Sequence, residues 1–160
     1  MWRAIFERMA ASINNRSFIL HICVSILEAF YRNISGVYTI DFPDQPPLIF
    51  DYTNIKNSFD QNLLMTPKST SLKRLRFNST FQIVLQNTTL IGIENHPLHL
   101  HGVNFYVLAQ GIGNYDAATT TSSFNLVNPQ ERNTLGVPVC EWAVFRFKAN
   151  NPGKLILVII

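Results

Sequence analysis

The sequence predicts an all-β domain, an antiparallel sandwich or barrel. Three observations predict it: most apolar segments repeat with period two, turn residues separate them, and helical spacing is confined to the first ten residues. With 160 residues, 47% of them hydrophobic and 14% charged, the chain has enough apolar side chain to bury one core. It carries no internal repeat.

At the start, Trp2, Ile5, Phe6 and Met9 follow the i, i+3, i+4, i+7 spacing and predict a short helix that would need docking to persist. The domain is expected over residues 10–160, with 1–9 left unassigned. Arg3, Glu7 and Arg8 deny this start the unbroken apolar core of a signal peptide, so the chain is expected to begin inside a longer precursor. Phe18 to Phe30 is the most apolar early stretch. Interrupted by His21 and Glu28, it falls short of the ~20 residues that cross a bilayer and reads as core, not membrane, with His21 a structural histidine. Val37 to Ile40 is a short strand candidate. Asp41 to Asp51 holds Pro43, Pro46 and Pro47, which remove backbone donors and make it a loop or extended crossover.

Farther along, Thr80 to Gln86 alternates, with Phe81, Ile83 and Leu85 on the core face. Asn104 to Gln110 is a similar strand, with Gly102 before it and Gly111 and Gly113 as turn residues after it. Ala117 to Ser123 is small and polar, a surface loop. In Trp142 to Ala149, the residues Ala143, Phe145, Phe147 and Ala149 form the core face. Trp142, Val144, Arg146 and Lys148 are expected to face solvent.

Charge excludes one class of partner. The net charge is +3, and the densest basic run, Lys73, Arg74 and Arg76, lies within an alternating apolar stretch, as the solvated side of a strand does. A nucleic-acid reader concentrates its cations on a dedicated face, so no nucleic acid is expected. Cys23 and Cys140 form no CxxC pair; they either bridge each other or remain buried free thiols. Four Asn-x-Ser/Thr acceptors, Asn15, Asn33, Asn78 and Asn87, favour a secreted glycoprotein.

The chemistry concentrates in Glu94 to Gly102, ENHPLHLHG, which holds three of the four histidines. Imidazole is a common ligand of copper and zinc. On a strand, side chains two apart share a face, so His99 and His101 project together while Leu100 turns into the opposite layer. Pro97 holds His96 extended and an odd step away, so His96 is expected to face away from the pair and to serve a different metal.

HPLHLHG resembles the third histidine motif of multicopper oxidases, and the likeness to plant laccases extends beyond it. Similar blocks are AASINNRSF from Ala10, GVYTIDFPDQPP from Gly36, ENHPLHLHGVNFYVLAQGIGNYD from Glu94 and FNLVNPQERNTLGVP from Phe124. The resemblance implies a cupredoxin-like (plastocyanin-like) Greek-key β-sandwich, the third domain of such an oxidase. It implies copper as cofactor, with His96 on the type 1 site, His99 on the type 2 copper and His101 on one of the type 3 pair. It also implies phenolic substrates, dioxygen as oxidant, no membrane, and secretion to the apoplast.

The likeness stops after Gly153. Where a laccase continues into a His-Cys-His segment, this chain reads KLILVII, so a sandwich incomplete at its C-terminus and a partial copper site are expected. Cys140 lies ahead of the Trp142 strand, where the family has a small residue, and is not expected to supply the missing thiolate. Lys154 to Ile160 could pair as a further strand, but as a free aliphatic end it is also aggregation-prone. The resulting expectation is a copper-binding domain inactive by itself, with no catalytic residue of its own; the alternative is a non-catalytic copper-binding or interaction module.

Overall fold

The computed structural model describes residues 12–20, 23–49, 51, 66–88, 95–153 and 157–159, the last three as backbone alone. They fall into two compact units, one within Met1–Ile49 and Phe59–Arg74, the other within Phe50–Ser58 and Leu75–Ile160. The helix expected over Trp2 to Met9, and His21, lie outside the described residues.

In the first unit, β1 (Ser12–Ile13) and β2 (Arg16–Phe18) form a hairpin, and β3 (Lys68–Ser69) adds in parallel to β2. Asn14 and Asn15 make the hairpin turn with φ of 50° and 59°. Two consecutive left-handed residues give the turn whose twist suits a tight hairpin, and asparagine adopts that conformation more readily than most residues. The short helix α1 (Ile26–Tyr31) follows, capped by the Ser25 hydroxyl, which accepts from the Glu28 amide at 3.0 Å.

This helix corrects the expectation of helical spacing at the start alone. Ser25-Ile-Leu-Glu28 has the capping-box sequence, of which the structure makes the serine half, a hydroxyl satisfying a free amide of the first turn, while the Glu28 carboxylate pairs with Arg32. The described part of Phe18 to Phe30 is not core within its unit: Leu20 and Phe30 are 64% and 53% exposed, and of the helix only Ala29 is buried. Val37 to Ile40 makes no full strand; Thr39 forms a single bridge with Ser71. The described part of Asp41 to Asp51 is loop, as its prolines dictate.

The second unit is a β-sandwich. One sheet runs in the order β4 (Thr80–Gln86), β9 (Glu141–Lys148), β6 (Phe105–Ile112), β7 (Gln130–Arg132). The other runs β10 (Leu157–Ile159), β5 (His96–Leu100), β8 (Thr134–Val137), and all pairings in both are antiparallel. The core lies between them. Leu98, Leu100, Leu135 and Val137 from one sheet pack with Phe105, Ala143, Phe145 and Phe147 from the other, and Phe81, Ile83 and Leu85 close its side. The Phe105 and Phe145 rings, both 1% exposed, meet at 4.4 Å between centroids. The all-β reading and the predicted core faces of β4 and β9 therefore hold.

Three expectations for this unit change, as does the one for the two cysteines. Trp142 and Val144 do not face solvent; they form a second apolar cluster with Leu108, against which Tyr115 and Phe124 pack. That cover comes from the segment after β6, so alternation within β9 could not reveal it. Ala117 to Ser123 is no irregular loop but a helical turn, α2 (Ala117–Thr120), continued by a 3-10 turn at Thr121–Ser123. Gly111 lies inside β6 and does not end it. The two cysteines are neither bridged nor buried; both are exposed free thiols. The backbone of Leu157–Ile159 pairs with β5, the strand expected as one fate of the terminal aliphatic run.

Candidate metal centre

β5 sits in the middle of its sheet, flanked by β8 and β10. Its alternation follows from the core: Leu98 and Leu100, 5% and 4% exposed, point into the sandwich and so turn His99 to the outer face. His101, just past the strand end, lies on the same side as His99, and the two imidazoles meet edge to face with centroids 4.6 Å apart. His96 has the opposite parity. It stands across from Val137 on β8, at the core-facing edge and half-buried. The structure therefore brings two of the three predicted histidines together and sets the third on the other face.

His99 is held by β8. Its Nδ1 lies 2.8 Å from the Asn133 carbonyl oxygen and 2.9 Å from Thr134 Oγ1. A carbonyl can only accept, and the Thr134 hydroxyl is directed to Asn133 Oδ1 at 3.1 Å. Nδ1 must therefore carry the ring proton and donate it, which leaves the Nε2 lone pair free for a metal. Backbone-anchored imidazoles of this kind are how proteins fix the tautomer of a histidine ligand. Sequence reading did not find Asn133 and Thr134, because their role depends on the register that sets Thr134 opposite His99.

Among the described residues no three His, Cys, Asp or Glu side chains come together as a metal cage. Cys140 lies on the turn before β9, with φ of 59° and its thiol exposed. Two neutral nitrogen donors suit copper or zinc, and the closed electron-transfer copper site needs a thiolate besides. The donor chemistry of the His99 and His101 imidazoles fits copper.

The family description for multicopper oxidases matches residues 41–157. Laccase-7 of Arabidopsis thaliana is 57% identical over 150 residues, covering 93% of this chain and 26% of that protein. Laccase-24 of Oryza sativa subsp. japonica is 58% identical over 145 residues, covering 90% of this chain and 25% of that one. The chain thus spans about a quarter of the length of these relatives. Among solved structures, a laccase from Botrytis aclada aligns with a TM-score of 0.46 and 34% identity, over 50% of this chain and 15% of that chain.

Proposed function

Because the chain belongs to the multicopper oxidase family, we propose that His99 and His101 are two ligands of a copper cluster and that His96 serves a separate copper. The family fold, a cupredoxin-like β-sandwich, matches the two sheets that share the core of the second unit. Copper, when bound, supplies one-electron transfer between an organic reductant and dioxygen. By kinship with plant laccases we assign phenols as the reductant and a secreted, apoplastic setting.

The protein's own residues supply position and tautomer. Asn133 and Thr134 hold the His99 proton on Nδ1, and the strand alternation that buries Leu98 and Leu100 aims both rings outward. The supporting observation is that convergence, two rings at 4.6 Å with one tautomer fixed. Reduction of dioxygen to water takes four electrons, more than a two-histidine site can store. The chain is therefore read as a ligand-supplying domain that works with further ligands of a longer oxidase, and by itself turns over no phenol. The alternative is a copper-binding or interaction module without catalysis, in which the same pair of imidazoles would serve as a metal patch.

Titration of Cu(II) into the full chain by calorimetry tests the assignment. His99→Ala and His101→Ala are each expected to weaken binding by about tenfold or more, by loss of a nitrogen donor, and His96→Ala by less. Equal losses at all three positions would overturn the facing assignment. Oxygen uptake by the copper-loaded chain with a phenol would overturn the claim of catalytic silence, and an intense blue band would make Cys140 a copper ligand.

A further inference from the structure

The four Asn-x-Ser/Thr tripeptides look alike in sequence, but the fold treats them differently. Asn87 is 6% exposed at the end of β4, and its Nδ2 donates to the Val137 carbonyl oxygen at 2.9 Å, tying the two sheets' strands together beside the core. A sugar on that nitrogen would leave it a single N–H and force a large hydrated group into an apolar seam beside the core. Asn33 and Asn78 are both exposed and in left-handed turns, with φ of 52° and 65°. Asn33 follows the C-cap of α1, where its own amide reaches the Phe30 carbonyl and that of Ile34 reaches Ala29 at 2.9 Å. The backbone alone closes that helix end, so the side chain is spare. At Asn78 the backbone again does the structural work, its amide donating to the Ala149 carbonyl at 2.8 Å. The hydroxyl residues two positions on, Ser35 and Thr80, are exposed as well. Asn15 is half-buried on the β1–β2 turn and decides nothing between the two classes.

We infer that Asn33 and Asn78 are N-glycan acceptors and that the Asn87 tripeptide is silent, its asparagine serving the fold instead; this rests on the secretory setting proposed above. The chemistry is transfer from a polyprenyl-pyrophosphate-linked oligosaccharide. The asparagine amide nitrogen forms a bond to the sugar C1, the C1–oxygen bond to pyrophosphate breaks, and the polyprenyl pyrophosphate leaves while the amide gives up one proton. If the transfer reached Asn87 on the growing chain, that copy could not close its sandwich and would be retained, so the secreted population lacks it.

The test expresses the full chain behind a heterologous secretion leader in a eukaryotic host, which makes the outcome independent of where the chain resides in its own cells. Amidase release of glycans in heavy-oxygen water converts each occupied asparagine to labelled aspartate, read by peptide mass spectrometry. Label is expected at Asn33 and Asn78 and not at Asn87. Ser35→Ala and Thr80→Ala should each remove one glycan without touching either turn, and Thr89→Ala should leave glycan number unchanged. Label at Asn87 in secreted protein, a glycan lost with Thr89→Ala, or unlabelled Asn33 and Asn78 would each overturn the inference. Native material without any glycan, beside a labelled heterologous product, would overturn the secretory reading and leave the site preference standing.

Discussion

At the scale of single residues, the informative contacts are those that alternation cannot encode. Gly111 reads in the sequence as a turn glycine, yet a Cβ there would lie 2.3 Å from Cζ2 of Trp142, its partner across the sheet. The glycine exists for close approach, not for turning. Gly111→Ala is expected to destabilise the chain by about 1–3 kcal/mol, as overpacking does, and to change the near-ultraviolet signal of Trp142; an unaltered urea midpoint would show that the ring has room to move. Asn87→Ala removes the bond to Val137 and leaves a buried carbonyl without that donor, a loss of about 1–3 kcal/mol. Urea unfolding checks it, and a cost near zero would mean water takes the amide's place. Thr134→Val keeps the Asn133 carbonyl as acceptor for His99, so copper affinity should fall less than with His99→Ala. Calorimetric titration of the two variants gives the order, and a reversed order would remove Thr134's supporting role.

At the scale of elements, the sequence was legible where one strand meets one core and obscure where two layers compete. The faces of β4 were readable because Phe81, Ile83 and Leu85 face the core and their neighbours do not. β9 was half readable: Phe145 and Phe147 point into the sandwich as the alternation predicts, but Trp142 and Val144 are covered by Tyr115 and Phe124 from a distant segment. The histidine site was legible in the same partial way. Strand period alone separated His96 from His99 and His101, whereas the tether from Asn133 and Thr134 needed the β5–β8 register. α2 was missed although its signal is local: Asp116 accepts from the Ala118 amide at 2.9 Å and from the Thr119 hydroxyl at 3.0 Å. Those bonds, the one from the Ala118 backbone amide first, hold the Asp116 carboxyl below the ordinary aspartate value. Since the folded value is the lower one, the cap's contribution is complete above the unfolded pKa of about 3.9 and is lost as pH falls through the folded value. Protection of the Thr120 amide, whose N–H donates to the Asp116 carbonyl, taken against its intrinsic exchange rate at each pH, should therefore fall in acid below that range and not between neutral pH and pH ~5. Loss of protection already at mildly acidic pH would mean another group controls the turn.

At the scale of the whole chain, the balance of apolar surface differs between its parts. The sandwich buries large side chains on two faces of one sheet and leaves Ile112 and Val127 exposed singly at its edges and loops, whereas the first unit leaves Phe18, Leu27 and Tyr31 exposed at 57%, 54% and 78%. Leu27 and Tyr31 stand one helical turn apart on α1, so they lie on the same face, and Phe30 touches Tyr31 edge to face at 5.6 Å. Single exposed apolar residues are ordinary on a protein surface, but a cluster that includes two aromatic rings loses hydration free energy that contact with another surface would recover. The chain produced by itself is therefore expected to associate as its concentration rises. Replacing Leu27 and Tyr31 together by serine should reduce that association without unfolding the sandwich, because neither residue belongs to its core. Light scattering across a concentration series, read beside the urea midpoint of the second unit, separates the two effects. A wild-type chain that stays monomeric at high concentration would mean that this face is hydrated at little cost, and the exposed rings would then need no covering surface.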